Sequence, residues 1–122
     1  ARDVQAEASL DTELPLDDPA LSAGDVFDRA GEDALADRTI ERVAEWNAIG
    51  VTNLVHAYAP LVVASGGAVA TNNPELVVDP VRERVEELTF TGVPEVRLAT
   101  LGEDVVVRGA VASAISGGTG ER

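Results

Sequence analysis

A short apolar run that ends in two adjacent glycines is the feature of this sequence best suited to bind a ligand. Residues 60–70 have the sequence PLVVASGGAVA, whose β-branched residues predict a buried strand that enters a tight turn at Gly66 and Gly67. Glycine admits backbone angles that side chains forbid, so it lets a nucleotide or a sugar approach the main chain closely. The same dipeptide occurs in ordinary strand-to-helix turns that need a positive φ, and the pattern alone leaves both interpretations open.

Other residues that could take part in catalysis or metal binding lack the partner residues that such chemistry needs. His56 is the only histidine, and without a cysteine or a second histidine we expect it to be structural. Asp17 and Asp18 lie in a proline-containing acidic stretch whose spacing fits no calcium-binding pattern, so we expect a solvated loop. The glycine-rich residues 116–120 lack the lysine and the following helix of a phosphate-binding loop. We therefore predict no catalytic residue and no metal ligand in this chain.

Two helices are predicted before the glycine turn. Ser22 and Asp25 have the spacing of a capping box, which predicts a short helix immediately after them. A long helix is predicted at residues 33–59, where apolar residues recur every three or four positions. Gly50 lies within it, and we expect a close crossing with a neighbouring backbone there. The predicted apolar face consists of Leu35, Ile40, Val43, Ala44, Trp46, Ala48, Val51, Leu54, Val55 and Tyr58.

A second helix–strand pair follows the turn. Residues 71–74 are predicted to continue as a polar loop, and a helix is predicted at residues 75–88. Pro80 near the start of that helix predicts a break or a two-piece helix. Residues 95–100 alternate between apolar and polar types, which predicts a second strand. The chain is therefore predicted to be an α/β protein.

The two strands are predicted to be parallel, because helical segments separate them. A final helix is predicted at residues 105–116, and its Gly109 and alanines indicate close packing against the sheet. Ligands in such folds bind beyond the carboxyl ends of the strands. Glycines follow both strands, at Gly66 and Gly102, and we expect the two turns to line the same edge.

The charge balance restricts the environment and the partners. The 122 residues include 22 acidic and 9 basic side chains, for a formal net charge of −13, and every basic residue is arginine. A lysine-free acidic surface is typical of proteins that stay hydrated in concentrated salt, so we expect a halophilic source. The same surface argues against binding the phosphate backbone of DNA or RNA.

Composition also bounds the domain organisation. The chain has no cysteine, which excludes disulfides and thiolate metal sites within it. Its length suits one domain, and no apolar run approaches the length of a membrane span, so we expect a cytoplasmic location. The sequence contains no methionine, and we expect it to be a piece of a longer protein. Residues 1–21 are predicted to be the tail of an upstream element plus an acidic loop, residues 22–116 a lobe, and residues 117–122 a flexible tail.

An ordered series of segments resembles the C-terminal part of the ROK family, over roughly residues 22–116. That family comprises sugar kinases such as glucokinases, open reading frames of unknown role and sugar-responsive repressors. The resemblance implies a partial ribonuclease-H-like lobe of the actin and hexokinase ATPase type, with parallel strands and packed helices. The segments that carry it are Asn53-Leu54-Val55, residues 60–70, Pro80-Val81-Arg82, residues 96–104 and Gly109-Ala110.

The resemblance also implies a role for the glycine turn. The corresponding turn of the family contacts the nucleotide, which assigns that role to Gly66 and Gly67, with Ser65 and Ala68 as weaker neighbours. The family usually has a third glycine here, so its pattern is only partly kept. The family's phosphate loop, catalytic aspartate and zinc motif, the last with a sugar-contacting glutamate, normally precede the matching region. ATP with Mg²⁺, a hexose and a possible zinc ion are thus expected of the complete protein, and this chain alone is expected to be inert.

Three functions remain open at this stage. The first is the nucleotide-side lobe of an ATP-dependent hexose kinase that forms a homo-oligomer, for which we expect phosphorylation of glucose at the 6-hydroxyl. The second is the effector-binding lobe of a ROK repressor, which binds sugar without phosphoryl transfer. The third is a non-catalytic module that uses the helix at residues 33–59 for oligomerisation.

Overall fold

The computed structural model describes residues 1–100 and 102–115, and it shows a mixed α/β architecture with two parallel strands and packed helices. Part of the last predicted helix, at Ser116, and the predicted tail at residues 117–122 lie outside the described residues. The elements are α1 (Arg2–Ala8), α2 (Ala23–Phe27), α3 (Ala34–Tyr58), β1 (Val62–Ser65), α4 (Ala68–Asn72), α5 (Pro74–Val77), α6 (Asp79–Leu88), β2 (Glu95–Leu98), a 3₁₀ turn (Gly102–Asp104) and α7 (Val105–Ile115).

The predicted capping box starts α2. The Asp25 backbone N–H donates to Ser22 Oγ at 3.3 Å, and the Ser22 backbone N–H donates to Asp25 Oδ2 at 2.7 Å. The hydroxyl of Ser22 also donates to that carboxylate. Hydrogen bonds from the side chain and backbone of Ser22 favour the charged form and hold the pKa of Asp25 below its usual value.

A buried carboxylate starts α3 and anchors the loop at residues 9–21. Asp33 Oδ1 accepts from the backbone N–H groups of Leu35 and Ala36, and Oδ2 accepts from the N–H of Glu13 at 2.8 Å. The hydroxyl of Thr12 donates to the same carboxylate. Desolvation raises the pKa of Asp33, but these hydrogen bonds together outweigh it and hold the pKa below its usual value.

The first half of α3 supports one of two apolar cores. Leu35 and Ile40 of α3 pack with Phe27 of α2, and Val4 of α1 and Leu14 of the acidic loop complete the cluster. The segment at residues 1–21 is therefore packed against the same core as α2 and α3.

The second half of α3 packs on α6 and the sheet. Pro80 lies near the start of α6, and the predicted two-piece helix is confirmed as α5 and α6. Val55 of α3 forms a cluster with Val81 and Val85 of α6 and with Val96 of β2. Val78, the residue before α6, belongs to the same cluster. This core consists of valine side chains, and it fixes the sheet against α3 and α6.

The two strands pair in parallel, as predicted, with Val62 opposite Glu95 and Ser65 opposite Leu98. The prediction that the first strand is buried was wrong, because Val62 and Ala64 are exposed and only Val63 packs against the valine core. The second strand ends at Leu98, two residues earlier than predicted. The predicted polar loop after the glycine turn was wrong at Thr71 and Asn72, which belong to α4. The structure starts a short helix directly at the turn, and Pro74 then begins α5.

Three further packing predictions were wrong. Trp46, Leu54 and Tyr58 of α3 were assigned to the apolar face but are exposed, because only the α3 residues that face the two cores are covered. A Cβ atom at Gly50 would meet no atom within 4 Å, so no backbone crosses closely there. The same holds at Gly109, and residues 106–115 of α7 are exposed rather than packed against the sheet.

None of the described helices combines the length and the apolar character that crossing a membrane requires.

Candidate functional site

The glycine turn joins the end of β1 to the start of α4. β1 ends at Ser65, and Gly67 precedes α4 with a φ of +98°, a region that side chains rarely adopt. A Cβ atom at Gly67 would meet no atom within 4 Å. The backbone at this position is therefore open to close approach, and only glycine adopts its conformation without strain.

The turns after the two strands meet at one edge of the sheet, as predicted. The Ala99 N–H donates to the Ser65 carbonyl at 2.7 Å, which extends the pairing past the end of β2. A Cβ atom at Gly66 would lie 3.4 Å from the Cβ of Ala99. Beyond it, α4 contacts the 3₁₀ turn, whose Gly102 has a φ of +58°.

An open cleft of about 430 Å³ extends from this edge along α3. Ser65 and Gly66 line it, whereas Gly67 and Ala68 follow directly in the chain without lining it. The volume lies within the range of small-molecule sites in proteins. The remaining lining residues are Trp46, Asn47, Gly50, Val51, Leu54, Ala70, Val77 and Val81.

The α3 wall of the cleft was missed by the sequence analysis. Trp46 was assigned to the buried apolar face, but it is 64% exposed and borders the cleft. Asn47 and Gly50 line the same wall. The signal in the sequence was Gly50, one helical turn after Trp46. Glycine makes a helix less stable than most other residues do, so its presence indicates that space is needed at that position.

A second groove, of about 480 Å³, lies between α1, α2 and α3. None of the residues predicted to bind a ligand lines it. We place the candidate site in the smaller cleft because that cleft contains Ser65 and Gly66 at the carboxyl end of a parallel strand, where α/β folds bind ligands.

His56 contacts Phe90 and does not line the cleft. Its ring stacks on Phe90 with centroids 5.4 Å apart, and its Nε2 accepts from the Phe90 N–H at 3.4 Å. It lies in the last turn of α3, which leads into the start of β1. His56 is therefore at the opposite end of the strand from the glycine turn.

The acidic loop shows no convergence of possible metal ligands. Asp18 Oδ1 accepts from the Ala20 N–H at 2.8 Å, which closes a local turn. Within residues 1–100 and 102–115, no three side chains of the His, Cys, Asp and Glu types are grouped so that they could hold a metal ion.

The fold and the site define an α/β protein with an open cleft at the carboxyl end of one of two parallel strands. The chain belongs to the ROK family, whose model matches residues 4–116. The match begins before residue 22, where the resemblance noted in the sequence starts, and so it also includes most of α1 and the acidic loop. No curated protein sequence matches the chain.

Proposed function

We propose that this chain is the nucleotide-side lobe of an ATP-dependent sugar kinase with the ribonuclease-H-like fold of hexokinases. The ROK family contains sugar kinases and sugar-responsive repressors, and membership supports either role. The observation that favours a nucleotide site is the open backbone at Gly67, beside a cleft that begins at Ser65 and Gly66.

The residues of the turn suit a nucleotide. With no side chain at Gly66 or Gly67, the sugar or phosphate part of the ligand reaches the main chain, while the rest lies in the cleft. In the complete protein, ATP with Mg²⁺ supplies the phosphoryl group, and a hexose, for which we propose glucose at its 6-hydroxyl, receives it. Our proposal gives the described residues a binding role and no catalytic one, because phosphoryl transfer also needs a base near the acceptor hydroxyl.

The test is a matched pair of glycine variants. Gly67 and Gly31 both have positive φ and open space at the Cβ position. Gly67 directly follows Gly66, which lines the cleft, whereas Gly31 lies in the turn before α3 and has no cleft-lining neighbour in the chain. Each substitution by alanine strains the backbone by roughly 1–3 kcal/mol. We expect Gly67→Ala to weaken MgATP binding at least tenfold and Gly31→Ala to leave it unchanged, as measured by calorimetry in molar potassium chloride.

Phosphoryl transfer is then measured on the complete protein with glucose, mannose and fructose. Turnover by the complete protein and none by the 122-residue chain is the expected result. Equal effects of the two glycine variants would contradict the nucleotide role of the turn. Sugar binding by the complete protein without turnover would instead favour the effector-binding lobe of a repressor, and analytical ultracentrifugation of the same samples tests the proposed homo-oligomer.

A further inference from the structure

We propose that the α3 wall of the cleft is a purine subsite, in which an adenine base stacks on Trp46, occupies the space left by Gly50 and is hydrogen-bonded by Asn47. This inference rests on the proposed nucleotide-binding function and deepens it. Three independent features of the wall carry it.

The first feature is an exposed aromatic ring that is already held in place. Trp46 is 64% exposed although it lies in the middle of a helix with two apolar cores. The guanidinium of Arg42 lies over its ring, 6.0 Å from the centroid, and Arg42 is itself paired with Glu7 of α1. Our proposal places the base on the face of the ring opposite the guanidinium. A flat base stacks well on such a ring, and every base offers a π-face.

The second feature is a glycine that packing does not require. Gly50 follows Trp46 by one helical turn, and a Cβ atom there would meet no atom within 4 Å. Glycine inside a helix is less stable than alanine, and no described neighbour prevents a side chain at this position. Because Gly50 lines the cleft, its missing side chain widens the space beside the Trp46 ring.

The third feature is an amide with unused hydrogen-bonding groups. Asn47 is exposed, lines the cleft and makes no side-chain hydrogen bond within residues 1–100 and 102–115. Its carboxamide presents a donor and an acceptor side by side. Adenine presents the complementary pair along its edge, which is why asparagine recognises adenine with two hydrogen bonds in other settings.

The position of the wall fits one continuous ligand. Trp46, Asn47 and Gly50 line the same cleft as Ser65 and Gly66. A base on Trp46 therefore leaves the sugar and phosphates directed toward the glycine turn.

The experiment uses the single tryptophan of the chain as its own reporter. The 122-residue chain is titrated in molar potassium chloride with MgATP, with adenosine and with magnesium tripolyphosphate, which has no base. We expect ATP and adenosine to quench Trp46 fluorescence and tripolyphosphate to leave it unchanged. Calorimetry on the same samples measures binding independently of fluorescence.

Variants of the α3 wall test the binding of the base separately from the binding of the phosphates. We expect Trp46→Ala and Gly50→Leu each to raise the Kd for ATP and adenosine by about tenfold or more, the size of effect that losing a base stack has elsewhere. Trp46→Phe keeps a stacking face and should retain most of the affinity. Tyr58→Ala is the matched control, because Tyr58 is an exposed aromatic residue of α3 that does not line the cleft. Circular dichroism confirms that each variant is folded.

The outcomes distinguish this inference from the proposed function. Calorimetric binding of ATP with no quenching, and with unchanged affinity in Trp46→Ala, would overturn the purine subsite and leave the nucleotide site intact. Quenching by adenosine together with unchanged ATP affinity in Gly67→Ala would support the subsite and overturn the nucleotide role of the glycine turn. Absence of ATP and adenosine binding to the folded chain would overturn both.

Discussion

α6 and α7 both carry valine side chains, yet they have opposite surroundings. Val81 and Val85 of α6 are buried, with Val85 fully inaccessible, and they pack on α3 and β2. Val111 and Ile115 of α7 are 53% and 83% exposed. The apolar side chains of α6 therefore stabilise this chain, whereas those of α7 contribute little to its core.

The contrast between α6 and α7 shows when the pattern of apolar residues predicts which face of a helix is buried. α6 is amphipathic, with valines on one face and charges on the other, including Arg84 beside Glu45 of α3. Such a pattern predicts which face is covered. Among its residues with described side chains, α7 has one charged residue, Arg108, so its sequence indicates a helix but no preferred face. Burial depends on the neighbours of a helix as well as on its composition.

The largest expected effect tests this contrast directly. Val85→Asp places an unpaired carboxylate in the valine core and should lower the free energy of unfolding by about 3–5 kcal/mol. Val111→Asp, the matched substitution on α7, should change it by less than about 0.5 kcal/mol. Urea unfolding followed by circular dichroism in molar potassium chloride measures both. A large loss from Val111→Asp would show that α7 is packed in solution.

The second-largest expected change in the free energy of unfolding concerns the start of α3, the helix on which α6 packs. Asp33→Ala removes the cap of α3 and the acceptor for the Glu13 N–H, and should lower the free energy of unfolding by about 2 kcal/mol. Asp25→Ala at the exposed cap of α2 is the control, with a smaller expected loss because Asp25 anchors no distant loop. Equal losses would contradict the anchoring role of Asp33.

The same carboxylate predicts a pH dependence. The folded pKa of Asp33 lies below its usual value of about 3.9, so its stabilising contribution is present at neutral pH. Stability from this group is lost as the pH falls from about 4 through the folded pKa, because the unfolded chain binds the proton more readily. Asp33→Asn should flatten this part of the curve of unfolding free energy against pH. An unchanged acid slope would show that Asp33 is not the group responsible.

Local signals in the sequence predicted most of the elements. Ser22 and Asp25 mark the start of α2, Pro80 marks the break before α6, and the separation of the strands by helices predicted their parallel pairing. Each of these depends on residues close together in the chain or on connection geometry. The hydrogen bond from the Glu13 N–H to Asp33 joins residues 20 positions apart, and no local sequence pattern predicts it.

The end of the candidate cleft at Ser65 and Gly66 was predicted from the sequence, whereas its α3 wall was not. The apolar run before Gly66 and Gly67 identified a turn at a strand end, and the structure confirms that turn. Helical periodicity placed Trp46 among core residues, because the pattern does not distinguish a side chain facing a core from one facing a cleft. It also omitted Thr52, which is buried and whose hydroxyl has no hydrogen-bond partner in the part of the chain that the structure describes.

The smallest expected effect compares one arginine on each of the two helices. Arg82 Nε donates to the Val96 carbonyl at 3.1 Å and so ties α6 to β2, in addition to pairing with Asp79. Arg108 of α7 lies 3.8 Å from Asp104, and both side chains are exposed.

We expect Arg82→Ala to lower the free energy of unfolding by about 1 kcal/mol, since it removes a charge-assisted hydrogen bond between elements. Arg108→Ala should change it by less than about 0.5 kcal/mol, because exposed ion pairs contribute little and are screened further in molar salt. The pair thus separates a charge that joins packed elements from one that acts only within its own segment, and equal values in urea unfolding would remove that distinction.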